Sequence, residues 1–387
     1  MGTRRIDGIG TGRGAKRAAA VLAAGLVAGV AAGLPAAAQA KDYVFATFVP
    51  PTHGIVVHAL NPLIDEIKAD TKGSVNFTLK PGAQLFKGPE SITSTGRGLA
   101  DATTYAPHYN PSQLPHIYIL VDLQLVAPNG VIGAAAAMDT IFNCPECMND
   151  YKKANTIVLA LYGTGTNNLW CRKDVKTVAD SKGLKIRTSG ATGRFVKALS
   201  GTAVGMAISE MPGAMERGQI DCVIGPIAWI KSYGMIDSVK SIVDFPIGSY
   251  PAANTLVLNL DTWKRFSAAE KKTIFRRAAL AQARATNDGY LKFDDEAMKE
   301  IAAKKIPVNP GGKDFDSLLE KHLVNEIEAT VEGAKKRGVA DPQKVINLFL
   351  ANVKKWRAIL GKAPYDTAAY DKALWDNLYS KIDPAKL

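Results

Sequence analysis

The residues with the clearest capacity for chemistry lie in the run Gly-Leu-Lys-Ile-Arg-Thr-Ser-Gly-Ala-Thr-Gly, positions 183–193. Its pattern predicts a short strand ending on Arg187, a glycine turn and a helix start. A guanidinium at a strand end, beside the unpaired N–H groups of a helix N-terminus, suits a small organic anion. Open α/β sheets take their ligands at the carboxyl ends of strands. Taken alone, an arginine there reads first as an ordinary surface charge. Other strand ends supply further candidate binding residues: Tyr105, His108 and Tyr109, then Asn167 and Asn168 before Trp170, and Trp229 after Gly225-Pro226. Aromatic walls with a few polar groups are the usual make-up of a small-molecule pocket. Arg172, Ser209 and Asn254 complete the candidate ligand set.

Catalytic patterns are sparse. His53, His58, His108, His116 and His322 form no His-x3-His or HExxH spacing, no Gly-x-Ser-x-Gly elbow or P-loop occurs, and no carboxylate pair stands out. We therefore expect a protein without catalysis, cofactor or metal. Zinc is disfavoured because no histidine lies at ligand spacing from a cysteine. Cys144, Cys147, Cys171 and Cys222 make an even set that allows three disulfide pairings. Cys144-Pro-Glu-Cys147 reads as a local staple in preference to a redox motif, although an exported thiol oxidoreductase is an alternative. Cys171 and Cys222 pair if their strands are neighbours.

The elements that must position these groups begin after an export signal. Five cations precede an alanine-rich run, and Ala38-Gln39-Ala40 resembles a cleavage site before Lys41, so residues 1–40 read as a signal peptide. The formal charge is +12 over 387 residues; removing 1–40, with five cations and one anion, lowers it by four to +8. Export and the absence of a basic-aromatic stripe argue against nucleic acid. Strands at 43–48, 75–79 and 102–105 alternate with helices at 56–67 and 89–99, a β-α-β-α-β rhythm that predicts a parallel sheet covered by helices. A proline-rich mixed region spans 107–151. Strands at 157–162 and 169–172 follow, then a second β-α-β unit with strands at 184–187 and 203–206; Ser209 is expected to cap the next helix, which leads to a strand at 220–224. Strand 254–260 precedes a long helix capped by Ser267 and reaching about Lys299. Two amphipathic segments, around Trp356 and around Leu374, are expected to cap the core.

At this point the chain resembles a known family. Lys182–Arg187 is similar to the signature of the solute-binding proteins of TRAP transporters (tripartite ATP-independent periplasmic, solute-binding family 7). Met206-Ala-Ile-Ser209-Glu210-Met-Pro-Gly-Ala214-Met-Glu216-Arg-Gly218-Gln-Ile-Asp221 resembles the family's next motif. Pro81-Gly-Ala-Gln84-Leu85 upstream, and Asn259, Thr262-Trp263 and Ser267 downstream, resemble it as well. The resemblance implies a periplasmic α/β binding protein of two lobes, with hinge strands and a long lobe-spanning helix, that captures a carboxylate and delivers it to a membrane permease. It implies that Arg187 binds the carboxylate. The second arginine of the sialic-acid-type members falls near Thr166–Asn168, where none is present, and that points away from a sugar acid toward an aromatic or apolar body. The resemblance also leaves a ligand-sensing protein that reports to a receptor as an alternative. Expected boundaries are 41–166 with 254–290 for one lobe, 167–253 with 291–340 for the other, and 341–387 as a C-terminal helical extension.

Overall fold

Strand β1 (Lys41–Ala46) opens the first sheet of a computed structural model that describes residues 2, 41–361 and 365–387; the expected signal segment, Gly2 apart, lies outside the described residues. A wide helical turn, Val56–Leu60, runs into α1 (Asn61–Asp70), and Val56, Leu60, Leu63, Ile64 and Ile67 bury one stripe at helical spacing. β2 (Val75–Lys80) pairs parallel with β1. α2 (Ser91–Gly96), shorter than expected, leads to β3 (Ala102–Tyr105), parallel to β1 on its other side.

The region 107–151, read from its sequence as a proline-rich mixed stretch, is mostly helical. It holds α3 (Ile117–Asp122), α4 (Gly130–Phe142) and α5 (Pro145–Lys153). Pro145 opens α5 after Cys144 caps it, so that proline starts a helix instead of breaking one. α4 is buried on nearly every side, so its sequence carries no apolar stripe to read.

β4 (Thr156–Tyr162) ends the first pass. The chain crosses at 163–166 into β5 (Asn167–Cys171), β6 (Lys185–Arg187), α6 (Thr192–Ala198), β7 (Thr202–Val204), α7 (Met211–Glu216), β8 (Cys222–Pro226), α8 (Ala228–Ser232) and β9 (Ser241–Asp244). Ser209 makes no capping bond: a 3-10 turn over Ile208–Glu210 comes before α7, and neither helix start uses a side-chain cap. The chain returns through 245–252 to β10 (Ala253–Asn259) and α9 (Leu260–Arg265). α10 (Ala268–Thr286) starts with the expected cap: Ser267 Oγ accepts from the Glu270 N–H while the Glu270 carboxylate accepts from the Ser267 N–H. A wide turn at Asn287–Leu291 joins it to α11 (Lys292–Ala303), and β11 (Val308–Pro310) follows.

The sheets are ordered β2-β1-β3-β10-β4 and β11-β9-β5-β8-β6-β7. The strands expected to be parallel, β1, β2 and β3, are so; both sheets are nevertheless mixed. β10 runs antiparallel to β3 and β4, and β5 antiparallel to β8 and β9. Each of these strands enters its sheet from a crossing segment, so it must run away from the edge toward which its parallel neighbours point. Thr166 and Ser249, one from each crossing segment, form a bridge.

Both sheets belong to one compact unit, Gln39–Leu387. α12 (Gly312–Leu323) packs on α6, and α13 (Glu326–Lys336) on α3. α14 (Pro342–Leu360) lies on α4 and α15 (Thr367–Asn377) on α10. Trp356 Nε1 donates to Asp139 and Tyr370 Oη to the Val131 carbonyl, so these helices cap the first sheet's layer. Cys171 and Cys222 face each other across β5 and β8 and are bonded; Cys144 and Cys147 form the second disulfide.

Candidate functional site

The parallel strands of both sheets end toward one cleft, and both crossing segments run past it. Residues just beyond these ends line a cavity of about 40 Å³: Phe48 after β1, His108 after β3, Tyr162 closing β4, Ser189 after β6 and Trp229 after β8. The lobes touch around it. The Ile208 N–H donates to Tyr109 Oη (3.1 Å), Gln124 Nε2 to the Ser189 carbonyl (3.1 Å) and Thr52 Oγ1 to the Ser232 carbonyl (3.0 Å). Outside, Lys87 pairs with Glu210 and Arg194 with Asp122.

Arg187 ends β6 and is 1% exposed, an unusual position for a guanidinium. Ile186 beside it fills the second sheet's core. Nη2 donates to the Met206 carbonyl at 3.3 Å, while Nε and Nη1 are buried without a partner. The guanidinium carbon lies 5.4 Å from the centroid of the Trp229 ring, a cation–π arrangement. Its field reaches His108, Tyr109 and Tyr233, all of which line the cavity. No carboxylate of the protein neutralises it among the described salt bridges. A buried cation in this state is complementary to an anion brought from outside.

Two glycines make the arrangement possible. Gly190 turns at φ +59°, and a Cβ there would come within 2.7 Å of Val121 and Gln124. A Cβ on Gly225 would come 2.5 Å from the Trp229 ring, so that indole needs the bare backbone beneath it.

The walls are aromatic and largely uncharged. Tyr162 and Tyr290 stack with centroids 5.2 Å apart, and Trp229 Nε1 donates to Tyr290 Oη. Burial, aided by the Arg187 charge, lowers the His108 pKa to about 3, so its ring is neutral. Desolvation raises the tyrosine pKa values, which keeps every hydroxyl of the wall protonated.

The sequence candidates divide clearly. His108 and Trp229 line the cavity with Tyr109 and Asn167, and Arg187 lies against Trp229. Tyr105 is buried behind the wall, its hydroxyl donating to Asn110. Asn254 is also behind it, accepting from Tyr151 Oη and donating to the Ala252 carbonyl. Asn168 faces a separate groove and accepts from the Phe245 N–H, since neighbouring side chains on a strand point to opposite faces. Ser209 is exposed beside the cavity-lining Ile208, and Arg172 is exposed beyond the far end of β5. Sequence reasoning missed Tyr162, Tyr233, Tyr250 and Tyr290. Tyr162 was legible as a strand end; Tyr290 sits in the wide turn of the long helix, which no local signal marks.

Comparison with known proteins adds the following. The profile of the bacterial extracellular solute-binding proteins, family 7, matches residues 45–320, more than half of the chain. A monocarboxylate 2-oxoacid-binding periplasmic protein of Nostoc sp. is 25% identical over 183 residues, 44% of this chain and 47% of that protein. The chain thus spans about half the length of this curated relative. A TRAP periplasmic solute-binding protein from Bordetella bronchiseptica with bound (R)-mandelate and (S)-mandelate superposes with a TM-score of 0.70 at 22% identity, covering 81% of this chain and 99% of that one. A TRAP solute-binding protein from Rhodoferax ferrireducens, in complex with copurified benzoate, superposes with a TM-score of 0.73 at 20% identity, covering 82% and 99%. The structural likeness establishes the two-lobed fold.

Proposed function

The chain belongs to family 7 of the bacterial extracellular solute-binding proteins, and from that premise we propose that it captures a small organic monocarboxylate with an aromatic or apolar body for a TRAP-type secondary transporter. The observation that carries this reading is Arg187, buried against Trp229 with Nε and Nη1 unpartnered. A carboxylate accepts two parallel N–H bonds from a guanidinium fork, and the strength of that pair rises where water is excluded. The small, tyrosine-rich cavity favours a compact ring over a polyhydroxylated sugar. The structural relatives hold mandelate and benzoate, and the Nostoc relative is a monocarboxylate 2-oxoacid-binding protein, which supports a monocarboxylate here.

In this reading 41–166 with 254–290 form one lobe, 167–253 with 291–340 the other, and 341–387 an extension. The lobes open at the crossing segments 163–166 and 245–252, with the Asn287–Leu291 turn yielding in the long helix. The protein works in the periplasm after loss of residues 1–40, hands its ligand to integral-membrane permease subunits and performs no catalysis. Ligand stabilises the closed form through its differential affinity for it.

Calorimetric titration with benzoate, mandelate and phenylacetate tests the assignment. Arg187→Lys should weaken binding by well over tenfold, about 1.4 kcal/mol or more, because an ammonium cannot reproduce the fork. Unchanged affinity in Arg187→Lys and Arg187→Met would remove Arg187 as the anchor.

A further inference from the structure

Three residues around the cavity carry buried polar atoms without a partner: Arg187 (Nε and Nη1), His108 (Nδ1 and Nε2) and Tyr233 (Oη). The other hydroxyls of the wall are engaged. Tyr250 Oη accepts from the His108 backbone N–H, Tyr109 Oη from the Ile208 backbone N–H, and Tyr290 Oη from Trp229 Nε1. Thr164 Oγ1 donates to the Gly165 carbonyl and Thr192 Oγ1 to the Ser189 carbonyl. Buried polar groups of folded proteins are hydrogen-bonded with few exceptions; His108 and Tyr233 line the cavity and Arg187 lies against its Trp229 wall, so the three form a set that a ligand completes.

From this set we infer that His108, with Tyr233, is the specificity-determining residue: it reads an uncharged oxygen, a hydroxyl or a keto group, on the acid that Arg187 holds. The inference rests on the proposed function and narrows it to hydroxy- and oxo-monocarboxylates. His108 is held edge and face by aromatic neighbours, 4.0 Å from Tyr109 and 5.7 Å from Tyr250 between ring centroids, so its nitrogens are fixed in direction. Its ring is neutral at ordinary pH and therefore offers one N–H donor and one acceptor nitrogen. A hydroxyl on the acid bonds one of these nitrogens, as acceptor from the N–H or as donor to the bare nitrogen. A keto oxygen accepts from the His108 N–H and from the Tyr233 O–H together. A second carboxylate is disfavoured: among the described residues, none lining the cavity is a lysine or arginine, and Arg187 is committed to the first carboxylate. A bare hydrocarbon in that place leaves His108 and Tyr233 buried and unpaired, and sites built to bond a substrate oxygen reject analogues that lack it.

The test is calorimetry with three acids of one skeleton, phenylacetate, mandelate and phenylglyoxylate, against the full mature chain. Wild type should bind mandelate or phenylglyoxylate at least tenfold more tightly than phenylacetate. His108→Phe should bring that ratio to within threefold, and His108→Gln, which keeps a donor and an acceptor, should restore part of it. Tyr233→Phe, which removes one oxygen only, should reduce the phenylglyoxylate preference severalfold and serves equally if His108→Phe fails to fold. Wild-type discrimination persisting in His108→Phe, or in Tyr233→Phe where the histidine variant is not recovered, overturns the inference and leaves the Arg187 reading intact, as does a wild type indifferent to the added oxygen. Loss of all three acids in Arg187→Met supports that underlying reading. Full binding there, or a wild type that binds none of the acids, refutes the reading and the inference together.

Discussion

Replacing Arg187 by methionine should close the protein without ligand. The lobe contacts bury the guanidinium to 1% exposure with two of its nitrogens unpartnered. A buried charge stripped of its partner costs about 3–5 kcal/mol. The Trp229 face returns about 1–2 kcal/mol of that, and the long bond to the Met206 carbonyl adds little. Closing over an unliganded Arg187 thus costs about 1–4 kcal/mol, which shifts the open–closed equilibrium toward open by about 5- to 700-fold at 1.4 kcal/mol per tenfold. A ligand carboxylate removes the cost, and so does a neutral thioether of similar length. Small-angle scattering reads the outcome directly. Ligand-free wild type should be more extended than its ligand-bound form, and ligand-free Arg187→Met should scatter like the bound wild type and not respond to added acid. If Arg187→Met superimposes on ligand-free wild type, or if ligand-free wild type is already as compact as the complex, the unpaired cation is not what holds the lobes apart.

Three further outcomes follow from buried groups elsewhere. His53 is wholly buried and burial lowers its pKa to about 3; a base depressed in the folded state contributes stability above about pH 6.5 that is lost as pH falls toward 3. That loss is up to about 5 kcal/mol, and urea midpoints of His53→Phe should fall less steeply over that range than those of wild type. Asp294, whose Oδ1 accepts from the Ala228 N–H, is pushed up to about 7 by desolvation. The folded state therefore binds its proton more tightly than the unfolded chain, stability drains as pH rises from about 4 to 7, and Asp294→Asn should raise the urea midpoint at pH 8 but not at pH 4. The gain is at most about 4 kcal/mol, less as water from the adjoining groove screens the carboxylate. Converting Cys171 and Cys222 to serine opens a loop with a sequence separation of 51 and should cost about 4 kcal/mol, against about 2 kcal/mol for the Cys144–Cys147 pair with its separation of 3. Equal shifts in urea midpoint for the two double variants would refute the loop-length argument.

Much of the second lobe was legible because its strands are short, apolar and punctuated by glycine: the strand ending on Arg187 needs only local chemistry to be recognised. Capping was legible at Ser267, where Glu270 completes a reciprocal pair, and misread at Ser209, where a 3-10 turn comes first. Region 107–151 was illegible because α4 is buried on almost every side and presents no periodicity. The antiparallel β5 and β10 were illegible because strand direction depends on which lobe a crossing segment enters, and nothing local encodes that.

The sequence by itself determined that Arg187 stands at a strand end beside a glycine turn, that family motifs surround it in order, and that aromatic residues follow neighbouring strands. It could not say whether that arginine was solvated or buried. Only the tertiary structure decided this, by folding Trp229 over the guanidinium, leaving two of its nitrogens unpartnered and ranging His108 and Tyr233 along the same cavity. The physical reason is that burial and hydrogen-bond satisfaction are properties of residues far apart in the chain. His108, after β3, and Tyr233, after α8, line the same cavity from different sheets' layers, and no local pattern of residues records that they share it.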